Sequence, residues 1–216
     1  MTDFPALESR THREAAARLA SDGWNVCGIG DWATVWRSAD GRLAARISPF
    51  EPAYEVFVAL CRNLEGHPML PRIDFDAPLD GGGRLTVMEF LRSAAPADAE
   101  AAKRRWDEAA PGDPVTAVRR EAERLDAEAT TAIPYWGGLD HNPRNIMTGV
   151  EGGLKFVDLF YVDGLELYAA LRDDPRAVAE RLPAERRRHI TEIGAVARLS
   201  TPEEIASLRR NAAAIG

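Results

Sequence analysis

Alanine and leucine alternate with charged residues over positions 5–20, which predicts an opening helix of modest amphipathicity that Asp22-Gly23 ends. From Trp24 to Ser48 the pattern changes. β-Branched and aromatic residues replace the alanines, and Asp40-Gly41 falls where a hairpin turn belongs, so this stretch predicts strands. A second helix is expected to begin near Glu51-Pro52 and run through Arg62, with Phe57, Leu60 and Cys61 on the face that packs against a sheet. Two further strands, 72–75 and 84–90, flank the turn Gly81-Gly82-Gly83.

Positions 93–131 are rich in alanine, arginine and glutamate and predict two helices, broken at Pro111-Gly112-Asp113-Pro114. In the second, Val115, Val118, Ala122 and Leu125 form the apolar stripe, and Arg119, Arg120, Glu121, Glu123 and Arg124 a solvated face. Ile146-Met147 and residues 154–157 predict two short strands, joined by a turn that carries Gly149, Gly152 and Gly153. Helices are expected at 165–171, 175–182, 185–196 and 201–214. The last opens on Thr201-Pro202-Glu203-Glu204, a capping threonine followed by proline and glutamate. Strands gathered early and helices late make this an α+β chain.

Composition narrows the field of functions. The chain has 216 residues, 45% of them hydrophobic, enough for a sizeable core. A net charge of -7, with no basic stripe, argues against a nucleic-acid partner. Cys27 and Cys61 form neither a metal spacing nor a disulfide framework, which suits a reducing compartment. The acidic N-terminus is no secretory signal and no apolar run approaches a membrane span, so a cytoplasmic protein without a membrane partner is expected.

The chemistry concentrates between Gly137 and Phe160. Asp140 is followed five positions later by Asn145, and Asp158 closes an apolar strand. A hairpin over 146–157 would bring these three oxygen-bearing side chains to one edge. There they could hold a hard divalent cation and leave one carboxylate to act as a base. The plainer reading is that an aspartate after a strand only forms a turn.

Asp140-His141-Asn142-Pro143-Arg144-Asn145 resembles the catalytic loop of the protein-kinase-like superfamily, and Asp158-Leu159-Phe160 resembles its Asp-Phe-Gly metal motif. Upstream, Gly28-Ile29-Gly30-Asp31-Trp32-Ala33-Thr34-Val35 resembles the glycine-rich loop, with Ala33 in the third glycine's place. Arg46 falls where the superfamily has the strand lysine. Glu55 resembles the helix-C glutamate that pairs with that base. Met88-Glu89-Phe90-Leu91 resembles the hinge. The resemblance implies a bilobal fold. An N-lobe of residues 1–91 would hold the opening helix, glycine loop, five-stranded antiparallel sheet, helix C and hinge. A reduced, mainly helical C-lobe would span 92–216.

It also implies ATP and Mg2+ as cofactors. Asp140 would be the catalytic base, and Asn145 and Asp158 the metal ligands. Gly28, Gly30, Val35, Arg46, Glu55, Met88, Glu89 and Leu91 would form the nucleotide site. Several positions depart from the pattern. Asn142 keeps neither the lysine of protein kinases nor the histidine of aminoglycoside phosphotransferases, Gly138 replaces the usual histidine, and no Ala-Pro-Glu motif follows Asp158. An arginine at position 46 fits the aminoglycoside phosphotransferase branch better than protein kinases, and the segment after Asp158 is too short for a full protein-kinase C-lobe. The expected activity is therefore transfer of the ATP γ-phosphate to a hydroxyl of a small molecule. A protein or peptide serine-threonine kinase and an inactive kinase-like binding module are the alternatives. Asp31 lies awkwardly for a phosphate loop unless it points away, and His141 and Arg144 read first as solvent-facing loop residues.

Overall fold

In the computed structural model, which describes residues 2–216, a five-stranded antiparallel sheet dominates the first part of the chain. A mainly helical region with two small sheets follows. The elements run α1 (His12–Ser21), β1 (Asn25–Ile29), β2 (Thr34–Arg37), β3 (Leu43–Ser48), α2 (Tyr54–Asn63), β4 (Ile73–Pro78), β5 (Arg84–Glu89), β6 (Arg92–Ser93), α3 (Pro96–Asp107) and α4 (Pro114–Ala132). Then come β7 (Trp136–Leu139), β8 (Ile146–Thr148), β9 (Leu154–Phe156), β10 (Phe160–Val162), α5 (Gly164–Asp173), α6 (Pro175–Arg181), α7 (Ala184–Arg187), α8 (Gly194–Leu199) and α9 (Pro202–Ala214). No helix among the described residues is long and apolar enough to cross a membrane.

The chain divides into two units. One comprises 2–52, Asp74–Val87 and Asp163–Gly216; the other comprises Ala53–Ile73 and Met88–Val162. The expected lobes, 1–91 and 92–216, partition the helices differently. The C-terminal helices cluster with the large sheet, and α2 clusters with residues 88–162. Long-range bonds account for the first grouping: Arg188 pairs with Asp80, and the His189 N–H donates to the Gly81 carbonyl.

In the first unit the sheet order is β1-β2-β3-β5-β4. Its core joins Leu7, Ala15, Leu19, Trp24, Ala45, Ile47, Leu79, Leu85 and Val87. Opposed pairs in the β2–β3 ladder share a face. Trp36 and Ala45 therefore lie on the core side, and Val35 and Arg46 on the other. The opening helix starts at His12, not near residue 5. Thr11 and Glu14 cap it reciprocally, Ser9 turns the chain through a φ of 64°, and Pro5–Leu7 form one isolated 3-10 turn. The helix expected over 185–196 is broken into α7 and α8, because the intervening turn buries His189, Ile190 and Ile193. The Gly81–Gly83 turn lies directly under this segment. Gly82 has a φ of +94°, and a Cβ there would stand 1.8 Å from the Arg186 carbonyl oxygen, so the backbones can meet only without a side chain.

In the second unit α4 buries Val115, Val118, Ala122 and Leu125 as its stripe predicts, and Asp113 caps it through the Val115 N–H. The β8–β9 hairpin forms where two strands were expected, and β6 extends it as a third strand. β7 and β10 pair as an additional two-stranded ladder that periodicity missed, since each is very short and β7 carries two glycines. Both cysteines are free. Burial pushes the Cys61 thiol up to about 12, which leaves it a small apolar core residue.

Candidate active site

The two short ladders of the second unit position Asp140, Asn145 and Asp158. β7 delivers Asp140, whose N–H donates to the Leu159 carbonyl at 2.7 Å just before β10 begins. The loop then folds on its own side chains. Asp140 Oδ1 accepts from the Asn142 N–H, and Asn142 Oδ1 accepts from the Arg144 N–H, both at 3.0 Å. Pro143–Asn145 forms one 3-10 turn that feeds β8, and the Val157 N–H donates back to the Asn145 carbonyl at 2.7 Å. Proline at the first position of that turn presets its φ.

Asn145 ties the set together. Its Nδ2 donates to Asp140 Oδ2 at 2.9 Å and to the Asp158 carbonyl at 3.0 Å. With the amide nitrogen engaged twice, Oδ1 is left as the side chain's remaining polar atom, a hard oxygen suited to a divalent cation. Asp158 has a φ of 52°, in the left-handed region. There a side chain other than glycine's is disfavoured, and such strain concentrates at functional sites. Gly138 also has a positive φ, +99°, opposite Tyr161 in the β7–β10 ladder. A histidine at this position would have to adopt that strained backbone.

Two residues flanking this loop escaped the sequence analysis. Lys103 of α3 lines a shallow recess with Asp140, Asn142 and Asn145, and pairs with Asp107 at 2.6 Å. Trp106, also on α3, packs edge-on against Phe156 with ring centroids 5.1 Å apart, and supports the hairpin from behind. Both belong to a helix whose charges look solvated, and only its alternating small residues, Ala99 and Ala102, mark the buried face. The recess holds only about 10 Å³, room for at most a water-sized group. His141 and Arg144 are exposed, as expected.

The residues expected to hold nucleotide fall in different settings. Gly28 and Val35 face each other across the β1–β2 hairpin, and the Gly30 N–H closes its turn on the Ala33 carbonyl at 2.8 Å. α8 meets this turn: the Ala195 N–H donates to the Asp31 carbonyl at 2.8 Å, and Asp31 pairs with Arg198. That pairing turns the Asp31 carboxylate aside. Arg46 is buried and pairs with Glu51 at 2.7 Å within its own unit. Glu55 stands half-buried in the first turn of α2.

At the expected hinge, Met88 and Leu91 are buried. The Glu89 N–H donates to the Arg72 carbonyl, so this donor is committed within the protein. The Glu89 carboxylate accepts from the Arg72 N–H and pairs with Lys155 at 3.0 Å, and Lys155 also donates to the Leu70 carbonyl. The structure therefore brings together the catalytic and metal candidates in one loop system. It places Gly28, Gly30, Val35 and Arg46 on the sheet of the other unit. Compared with known proteins, the chain matches no family and no curated sequence.

Proposed function

We propose that the chain is an ATP- and magnesium-dependent O-phosphotransferase with a bilobal, protein-kinase-like fold, acting on a hydroxyl of a small molecule. The observation that carries this reading is the Asn145 amide spanning the Asp140 carboxylate and the Asp158 carbonyl, with Asp158 held in a strained backbone. A turn-forming aspartate tolerates a positive φ but needs no side-chain amide reaching its carbonyl from 13 positions away. Asn145 and Asp158 would hold Mg2+, whose hard-oxygen preference suits an amide oxygen and a carboxylate, and the ion would supply neutralisation of phosphate charge.

Asp140 is the base in this reading. Its carboxylate orients the acceptor O–H and takes the proton as the acceptor oxygen bonds to the γ-phosphorus. The bond from that phosphorus to the bridging oxygen breaks, and ADP leaves with the electron pair. The Asn142 N–H and Asn145 amide fix the carboxylate's orientation from both oxygens, so little reorganisation accompanies the step. Lys103 lines the same recess as Asp140, its ammonium paired with Asp107.

A kinase-like binding module without turnover is the second reading. It draws on the committed Glu89 N–H and on α8 bonded to the glycine turn. Thermal stabilisation by ATP, with and without magnesium, on wild type and Asp158→Ala tests the proposal. A magnesium-dependent shift lost in the variant supports a live nucleotide site and opens a screen of hydroxylated acceptors. No shift with ATP or GTP would reject phosphotransfer.

A further inference from the structure

A second cluster of titratable groups lies wholly in the first unit, and phosphotransfer makes no use of it. His12 opens α1, directly after the Thr11 cap, and His189 and Glu192 sit on the turn between α7 and α8. His12 Nε2 is 3.2 Å from one Glu192 oxygen, and His189 Nδ1 is 2.9 Å from the other. The rings meet edge to face with centroids 4.7 Å apart. Taking one donor atom from each residue, all three lie within 4.8 Å of one another.

The surroundings leave these rings one polar direction. His12 Nδ1 and His189 Nε2 are buried without a hydrogen-bond partner among the described residues, so there both rings engage polar groups on the side facing Glu192. His189 is 7% exposed and lies tight against Gly81, where a Cβ would come within 2.4 Å of the ring. Two fixed imidazoles converging on one carboxylate are the donor set of zinc-class transition metals, whereas magnesium and calcium favour all-oxygen sites. Ligands arranged tetrahedrally at about 2.0–2.1 Å from zinc stand roughly 3.3 Å apart. The histidine–carboxylate spacings of 2.9 and 3.2 Å are already close to that.

We infer that His12, His189 and Glu192 form a binding site for a zinc-class divalent cation. His12 Nε2, His189 Nδ1 and the Glu192 carboxylate are its ligands. Glu192 lines two cavities that give access and room for a further ligand. One, of about 550 Å³, includes Arg13 and Thr191, and the other, of about 240 Å³, includes His12, Gly30 and Trp32. Arg13 is the built-in competitor. Its guanidinium contacts Glu192, but its side chain is 64% exposed and can swing into solvent when a doubly charged ion arrives.

Zinc titration of the full chain at neutral pH, in competition with a chromogenic chelator, tests the site. A Cys27→Ser background removes the exposed thiol as a rival ligand. One saturable equivalent is expected, with affinity lowered on the order of 100-fold in His12→Gln and in Glu192→Gln. In Arg13→Gln the affinity rises several-fold, because the competing cation is gone. Cobalt, used as a spectroscopic probe, should show tetrahedral-type bands in wild type that are missing from Glu192→Gln. Absent zinc binding, or equal affinity in wild type and Glu192→Gln, overturns the proposal and leaves a hydrogen-bonded brace. If Glu192→Gln does not fold, Arg13→Gln decides: unchanged or weaker zinc affinity there overturns the proposal equally. Nucleotide plays no part in this titration, so its result stands apart from the phosphotransfer reading.

Discussion

The loop system around Asp140 and the His12–His189–Glu192 cluster are built in opposite ways. In the first, the decisive bonds join residues 5 and 13 positions apart, and the strands that align them are the chain's immediate neighbours. In the second, α1 meets a turn near the other end of the chain, and the Arg13–Glu192 bond spans 179 positions. A site made from one stretch keeps its geometry when distant packing loosens. A site made from two ends exists only while those ends stay together, so its chemistry and the stability of its unit are one property.

The largest effect should come from Asp140→Asn, which keeps shape and one of the two acceptor oxygens but removes the base. Turnover should fall by about 10²–10⁴-fold, the range for loss of a general base, while magnesium-dependent ATP binding persists. Steady-state kinetics beside nucleotide titration checks this, and undiminished turnover would sink the assignment of Asp140. The loss should leave the melting temperature almost unmoved, since the residue is only half-buried and its loop is locally braced.

Asp158→Gly divides strain from function. Glycine adopts a φ of 52° freely, so the variant should gain up to about 1 kcal/mol of stability in chemical denaturation. At the same time it should lose magnesium-dependent nucleotide binding. Lower stability instead would mean that contacts of the Asp158 side chain outweigh the strain, and the strain would no longer point to function.

The two-ended cluster should answer to pH. Burial, chiefly, and the nearby His189 and Arg13 hold the His12 pKa below its usual 6.5, against the pull of Glu192. A base with a lowered folded pKa adds stability above about 6.5 and loses it as pH falls toward the folded value. Burial pushes Glu192 up, but the His189 bond and the charges of Arg13 and His12 outweigh it and carry the carboxyl below 4.5. Its contribution is present above that value and lost on further acidification. Both act in one direction, so melting temperature should drop from pH 7 to pH 5 and more steeply below. His12→Gln should flatten the upper part of that profile, and an unchanged profile in the variant would remove His12 from the account.

The same contrast explains what the sequence disclosed. The apolar stripe of α4, the β8–β9 hairpin and the Asp140–Asn145 spacing were legible because each is set by residues a few positions apart. The start of α1 was misplaced although its signal, Thr11 with Glu14, stands in the sequence, because Pro5-Ala6-Leu7-Glu8 also reads as a helix start and in fact forms only a 3-10 turn. The broken helix at 188–193 and the pairing of α8 with the Gly30–Ala33 turn left no local trace. Both are decided by packing against segments far away in the sequence. Lys103 shows the intermediate case. Its helix was legible, but only tertiary packing turns that face toward Asp140.

The smallest effect expected separates contact from consequence at the glycine turn. Arg198 and Asp31 are about half exposed, 50% and 54%, and exposed pairs of this kind contribute about 0–1 kcal/mol. Arg198→Ala should therefore shift stability by less than about 0.5 kcal/mol in a denaturant titration. What it frees is the Asp31 carboxylate, beside the turn whose amides are proposed to meet phosphate. ATP affinity should then fall, modestly and more at low ionic strength, because a charge once neutralised by Arg198 now repels the nucleotide. Unaltered affinity at low salt would mean that the turn bears no phosphate, and the nucleotide role of Gly28 and Gly30 would go with it. A gain in affinity would instead make the bond between α8 and the turn a restraint on binding.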